Sequence, residues 1–267
     1  MHGRVRIVKE AKSWTPIPDP EDRYSSGIPD FDRLLGGGFQ RGSLALFEMD
    51  ETVGQDDLDL LLFPTILNLL YQSRGVIAVL PSADSPHDFR TRMSRFVTRR
   101  RFDNRVRVVD YTGEDEGPAY VVSLKGMQSN PKRVGKPNWS SNPKVIQEDV
   151  TKMRAAERAA QGNRKKSYLE LNAIEVADTL AGGEAASRMF FFGVKRARSE
   201  RNLVIGLLTP GVECAAVIRR MADTKFALHR DEVGLVIRGL RPSFPSYVVS
   251  GDHPAGPPHV AFVPRPS

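Results

Sequence analysis

The residues from Met49 to Asp57 read Met-Asp-Glu-Thr-Val-Gly-Gln-Asp-Asp. They stand between a short apolar run, Leu44 to Phe47, which reads as a buried strand, and an apolar-rich segment from Leu58 to Ser73, which reads as a helix. A loop joining a strand to a helix can wrap a phosphate. It needs glycines for close backbone approach, a Lys to neutralise charge, and the N–H groups at the helix start. This loop offers one glycine, Gly54, followed by Gln55 and Asp56, and it carries Asp50, Glu51 and Asp57 besides. Carboxylates at a helix start use the positive end of the helix themselves. They repel a triphosphate.

Positive charge lies elsewhere in the chain. The formal net charge is +7. From Lys125 to Lys166 there are eleven Lys/Arg against three Asp/Glu, a local excess of +8, so the remainder nearly cancels. A second basic stretch, Arg90 to Arg107, holds Arg90, Arg92, Arg95, Arg99, Arg100 and Arg101 among phenylalanines. Either stretch reads as a solvated surface or as a polyanion-facing one, since Arg suits bidentate phosphate contacts. In the first stretch the candidates are Lys132, Arg133, Lys136, Lys144, Arg164, Lys165 and Lys166, with Trp139 able to stack on a base. The five histidines are scattered without paired spacing, so no metal site is expected. Cys214 begins an apolar helix face and reads as a small core residue. No Ser/His/Asp arrangement can be assembled around Ser43 or Thr209.

Periodicity places these residues. Residues 1–24 form a polar, proline-punctuated arm in which Val5 to Val8 makes a short edge strand. Ile28, Phe31, Leu34 and Leu35 give a short helix an apolar face before Gly36-Gly37-Gly38. Leu61, Leu62, Ile66, Leu69 and Leu70 form the buried face of the next helix, which contains Pro64. Gly75 to Leu80 is a continuous apolar run of strand length. Ser85-Pro86 opens a helix with Phe89, Met93, Phe96 and Val97 on its core face. Arg105 to Tyr111 alternates into a strand. Residues 113–166 are rich in Gly, Pro, Asn and Ser and read as a partly disordered insertion, helical only at 145–160. Residues 167–178 hold one strand of uncertain register. A helix at 185–201, a strand at 202–208, a helix at 214–221 and four short strands complete the chain. Strands alternating with helices and then a β-rich tail predict an α/β fold: a mainly parallel sheet with C-terminal antiparallel strands.

An apolar share of 40% suffices for a core, and a single cysteine excludes an intramolecular disulfide. MHGRVRIVKEAKSW has no apolar h-region, and the longest apolar stretches are too short to span a bilayer. The expectation is a soluble, cytoplasmic protein without a signal peptide.

The phrase SSGIPDFDRLLGGGFQRGSLALFE, from Ser25 to Glu48, resembles the opening of the RecA superfamily, in particular its KaiC- and RadA-like branch. The resemblance covers roughly 25–263 and implies a RecA-like P-loop NTPase fold over 25–267, with 113–166 as an insertion lacking a counterpart. The family's loop pattern GxxxxGK[ST] falls on Met49 to Asp56. Met49 takes the place of the first glycine, Gly54 keeps the second, Gln55 replaces the Lys and Asp56 the hydroxyl residue, with Asp50, Glu51, Thr52 and Val53 between. The family's catalytic Glu follows the next strand, where Leu80 leads into Pro81 and Ser82. Its magnesium-supporting Asp ends a further strand, and two registers compete: Tyr168 to Asn172 loses the acid, whereas Ile174 to Leu180 keeps it as Asp178 and is favoured. The family's inter-subunit finger implies Arg238 and Arg241 as candidates. The resemblance thus implies a pseudo-ATPase without cofactor, forming homo- or hetero-oligomers with RecA-like subunits and binding DNA or RNA through its basic surfaces. Elongator's ring of RecA-like accessory subunits, which lacks these motifs and handles tRNA, is similar in this respect. A protein-binding subunit that completes a ring with an active paralogue is the alternative, and residual ATP binding a third.

Overall fold

The structure, a computed structural model, describes residues 14–111, 117–126, 142–163, 166–252 and 259–265. The first elements are β1 (Arg23–Tyr24), α1 (Pro29–Leu34), β2 (Phe39–Gln40), β3 (Leu44–Met49), α2 (Gln55–Tyr71) and β4 (Val76–Val79). They are followed by α3 (Pro86–Met93), α4 (Arg99–Arg105), β5 (Val106–Asp110), β6 (Val121–Ser123), α5 (Pro143–Gln161), β7 (Leu169–Ala173) and α6 (Ile174–Ala181). Then come α7 (Gly183–Glu200), β8 (Leu203–Leu208), α8 (Ala215–Met221), β9 (Thr224–Asp231), β10 (Gly234–Arg241), β11 (Ser243–Asp252) and β12 (His259–Pro264).

Ten of the described strands form one sheet in the order β12-β11-β10-β9-β3-β8-β7-β4-β5-β6. From β9 to β6 every pairing is parallel, and β9 to β12 run antiparallel as a terminal meander. The central strands β3, β4 and β8 are almost wholly apolar because both their faces are covered. One face packs against α1 to α4, with Phe31, Phe47, Phe226 and Phe262 at its centre. The other packs against α6, α7 and α8 over β3 and β8, and against α5 over β4 and β5. The predicted α/β architecture is therefore present.

Helix α2 runs through Pro64 and is buried along most of its length. The leading segment is fastened to it from Trp14 onward. Asn68 is fully buried; its Oδ1 accepts from Ile17 N at 2.7 Å and from Trp14 Nε1 at 3.4 Å, while its Nδ2 donates to Ile17 O at 3.1 Å. The triple glycine lets the chain pass under β1. At Gly38, φ is 104°, and a Cβ would stand 2.3 Å from the Tyr24 carbonyl oxygen.

Three elements differ from the sequence expectations. The strand at 167–178 is Leu169–Ala173, and Ile174 to Ala181 is helix α6, so the favoured register is corrected. Ile174, Ala177 and Ala181 fall at helical spacing and are buried against the sheet. Asp178 accordingly ends no strand. Its carboxylate accepts from Glu213 N at 2.9 Å and Cys214 N at 3.2 Å, tying α6 to the segment before α8. The helix opened by Ser85-Pro86, expected to carry Arg99, Arg100 and Arg101 on its outer faces, ends at Met93; those arginines start a separate short helix, α4 (Arg99–Arg105), and β6 forms within the segment read as an insertion. The edge strand read at Val5 to Val8 lies outside the described residues.

Candidate functional site

The loop between β3 and α2 closes on itself. Asp50 N donates to Leu228 O at 3.2 Å, anchoring the loop to β9. Thr52 donates from both N (2.9 Å) and Oγ1 (2.5 Å) to Asp50 Oδ1, and its Oγ1 accepts from Arg230 N at 2.7 Å. At the helix start, Asp57 Oδ2 accepts from Gly54 N at 3.0 Å, and Asp57 Oδ1 pairs with Arg230 Nη1. A buried side chain of the protein thus takes a backbone donor that a bound anion would use. One turn on, Gln55 Nε2 donates to Asp59 Oδ1 at 2.9 Å.

Behind the loop lies an ion cluster. Arg92, on α3, donates from Nε to Asp59 Oδ2 at 2.6 Å and through a fork to Asp84, with Nη1 at 2.9 Å and Nη2 at 2.6 Å. The Asp84 hydrogen bonds hold the Arg92 guanidinium firmly charged against the cost of its burial. Burial pushes the Asp59 carboxyl up, and Gln55 and Arg92 partly offset this.

The strand ends beside this cluster carry no acid at the expected positions. β4 leads into Leu80, Pro81 and Ser82, and β7 ends in Asn172 and Ala173. One carboxylate missed from the sequence does reach this edge. Burial pushes the Glu175 carboxyl up, countered by its own backbone N–H and that of Ser82. The favoured register puts Glu175 inside a strand; the helical spacing of Ile174, Ala177 and Ala181 is the sequence signal that places it on a helix instead.

The arginine segment divides in two. Arg90 is bidentate to Asp103 at 3.0 and 3.1 Å, and Arg92 belongs to the cluster above. Arg101 lies 3.9 Å over the Tyr71 ring, and Arg99 reaches Asp103 at 3.5 Å from an exposed position. Arg95 and Arg100 are exposed, with no partner among the described residues. Lys144 is exposed at the start of α5, whereas Lys166 donates to Gln72 O at 2.8 Å on the far edge of the sheet. Lys132, Arg133, Lys136, Trp139, Arg164 and Lys165 lie outside the described residues. Arg238 is exposed on β10, and Arg241 donates to Ala222 O at 3.2 Å. Among the described residues, no group of three His, Cys, Asp or Glu could hold a metal ion, and no helix is long and apolar enough to cross a membrane.

The α/β fold, with the β3 loop at the carboxyl edge and an antiparallel meander beyond β9, is shared with KaiC-like proteins of RecA fold. A KaiC-like protein of Pyrococcus horikoshii OT3 superposes with a TM-score of 0.59 at 14% identity, covering 91% of this chain and 100% of that one. An uncharacterised protein of Pyrococcus horikoshii, solved with an unknown peptide, gives 0.56 at 19% identity, covering 89% and 98%. Residues 13–133 match the family described as GvpD basic region 2. Protein GvpD2 of Halobacterium salinarum is 32% identical over 110 residues, 41% of this chain and 22% of that protein. Protein GvpD1 of the same organism is 31% identical over 105 residues, 39% and 20% respectively. The chain spans about a fifth of the length of these curated relatives.

Proposed function

We propose that the protein is a catalytically inactive RecA/KaiC-like scaffold or regulator that assembles into oligomers and binds nucleic acid, DNA or RNA, through a basic surface. The closed loop carries the first half of this reading. Asp57 takes the Gly54 N–H, and Gln55 stands where the P-loop Lys would be, so a triphosphate meets acids in place of a cradle. The exposed Arg95, Arg99 and Arg100 support the second half. They lie within the residues that match a family described as a basic region.

Fluorescence anisotropy with single- and double-stranded oligonucleotides across a salt series tests the nucleic-acid reading. The expected affinity falls linearly with log salt, and each of Arg95→Ala, Arg99→Ala and Arg100→Ala that removes a phosphate contact lowers the slope by about 1. Undetectable binding at low salt sinks it. Calorimetry with ATP and magnesium tests inactivity, and micromolar binding would overturn it.

A second reading, a protein-binding subunit that completes a ring with an active paralogue, is favoured by one observation. Phe191 and Phe192 on α7 are 53% and 65% exposed, with ring centroids 5.6 Å apart. Exposed aromatics of this kind are enriched at protein interfaces. Co-purification of a homologue with an intact GKT loop, lost in Phe191→Ser/Phe192→Ser, supports it. A partner that stays bound to that variant counts against these residues.

A further inference from the structure

The sheet edge opposite the closed loop carries a cleft of about 620 Å³ lined by Arg105, Arg107, Arg158 and Lys166, with Asn104 and Gln161 among its neutral donors. It sits at the amino ends of β4, β5 and β7: Arg105 ends α4 just before β5, and Lys166 precedes β7. Among the described residues, no Asp or Glu lines it. Two of its cations are steadied by main-chain carbonyls. Arg107 Nη1 donates to Asp103 O at 2.7 Å and Val106 O at 2.6 Å, and Lys166 Nζ donates to Gln72 O at 2.8 Å. Desolvation lowers the hold of Arg107 on its proton, and the charge of Asp103 partly offsets this.

Arg105 is the most telling member. Its Nη1 is buried and has no hydrogen-bond partner among the described residues. Buried donors are nearly always satisfied, so this N–H is open to an acceptor from outside the chain, a water or a ligand oxygen. The chain makes room for this guanidinium. Gly162, the C-cap of α5, has φ 63°, and a Cβ there would stand 2.0 Å from Arg105 Nη1. The end of α5 brings a partial negative charge of about half a unit, which opposes an anion. Four full positive charges outweigh it.

We propose that this cleft binds a phosphoryl group, with Arg105 and Arg158 donating N–H groups to its oxygens and Lys166 adding a point charge. The source is either a free polyphosphate compound or the backbone of a bound nucleic acid. In the second case the inference deepens the function proposed above and rests on it.

The test is calorimetry with tripolyphosphate and anisotropy with a single-stranded 12-mer, on the wild type, Arg158→Ala and the triple variant Arg95→Ala/Arg99→Ala/Arg100→Ala. Arg158 is exposed, so its loss leaves folding intact; Arg105→Gln is the companion variant, checked first by thermal unfolding. Tripolyphosphate is expected to bind one per chain, about tenfold or more weaker in Arg158→Ala and unchanged in the triple variant. Competition between tripolyphosphate and the 12-mer assigns the cleft to backbone phosphate. Tripolyphosphate binding without competition assigns it to a free phosphoryl compound. If neither ligand responds to Arg158→Ala or Arg105→Gln, the proposal is overturned. The nucleic-acid reading then survives only if the 12-mer binds and responds to the triple variant.

Discussion

Asp57, in the first turn of α2, and Arg230, near the end of β9, are paired across the strand-to-helix loop. The pair joins residues 173 positions apart. With the Arg230 backbone N–H on Thr52 Oγ1, it fastens the loop to the meander at two points. The Asp57 side chain is only 7% exposed and also accepts from Gly54 N, so its carboxylate serves as helix cap and ion-pair partner at once. A loop held this way is a structural joint.

That double duty predicts unequal costs. Asp57→Ala leaves the Gly54 N–H without its acceptor and removes the cap, and should lower stability by about 1–2 kcal/mol in urea denaturation. Arg230 is 52% exposed, and Arg230→Ala should cost less than about 1 kcal/mol. Equal costs would show that the cap is not the larger part.

Restoring the missing lysine alone should not restore nucleotide binding. Gln55 already reaches Asp59 at i+4, so in Gln55→Lys the new ammonium meets that carboxylate before any phosphate. Asp57 still occupies the Gly54 N–H. ATP and magnesium should give no heat in calorimetry with Gln55→Lys, and micromolar binding would refute this account of the loop.

Arginines of one basic segment should separate by role. Arg92→Ala strands Asp84 and Asp59, whose side chains are 3% and 11% exposed, and should cost about 3–5 kcal/mol of stability. Arg95→Ala, at an exposed position without a partner among the described residues, should change stability by no more than about 0.5 kcal/mol. Thermal unfolding checks both. Substantial destabilisation by Arg95→Ala would remove it from the candidate binding surface.

The sequence conveyed the framework better than the site. Period and length placed β3, α2, β4, α7 and β8, because buried parallel strands and the helices covering them leave long apolar signals. The break between α3 and α4 was missed because Phe96 and Val97 continue the apolar face of α3, and Phe102 is the one buried residue of α4 amid arginines. The register of β7 was misjudged because Glu170 and Asn172 interrupt its apolar run, while Asp178-Thr179-Leu180 imitates a strand end. The loop's own residues, Gln55, Asp56 and Asp57 among them, could be read directly. The partners of Arg90 and Arg92 could not, since Asp103, Asp84 and Asp59 reach them only through the packing of α2, α3 and α4.

Glu170 gives the fold a pH dependence of definite sign. It lies in β7 at 8% exposure, bound to Arg196 Nη2 at 3.1 Å, while Arg196 Nη1 pairs with Glu157 of α5. Burial pushes the Glu170 carboxyl above its ordinary value of 4.5, with Arg196 opposing the shift and Glu157 adding to it. Burial likewise raises Glu157. A carboxyl whose folded pKa exceeds its unfolded one favours folding while protonated. This contribution is fully present below about 4.5 and is lost as pH rises through the higher folded value. Glu170→Gln keeps the shape, leaves Glu157 on Arg196 and removes one of the two titrations. The variant should therefore lose less stability than the wild type between pH 4.5 and 7, as measured by urea denaturation at fixed ionic strength. A wild-type stability that rises over this interval, with the rise abolished in Glu170→Gln, would mean that Arg196 outweighs burial and that the sign is reversed.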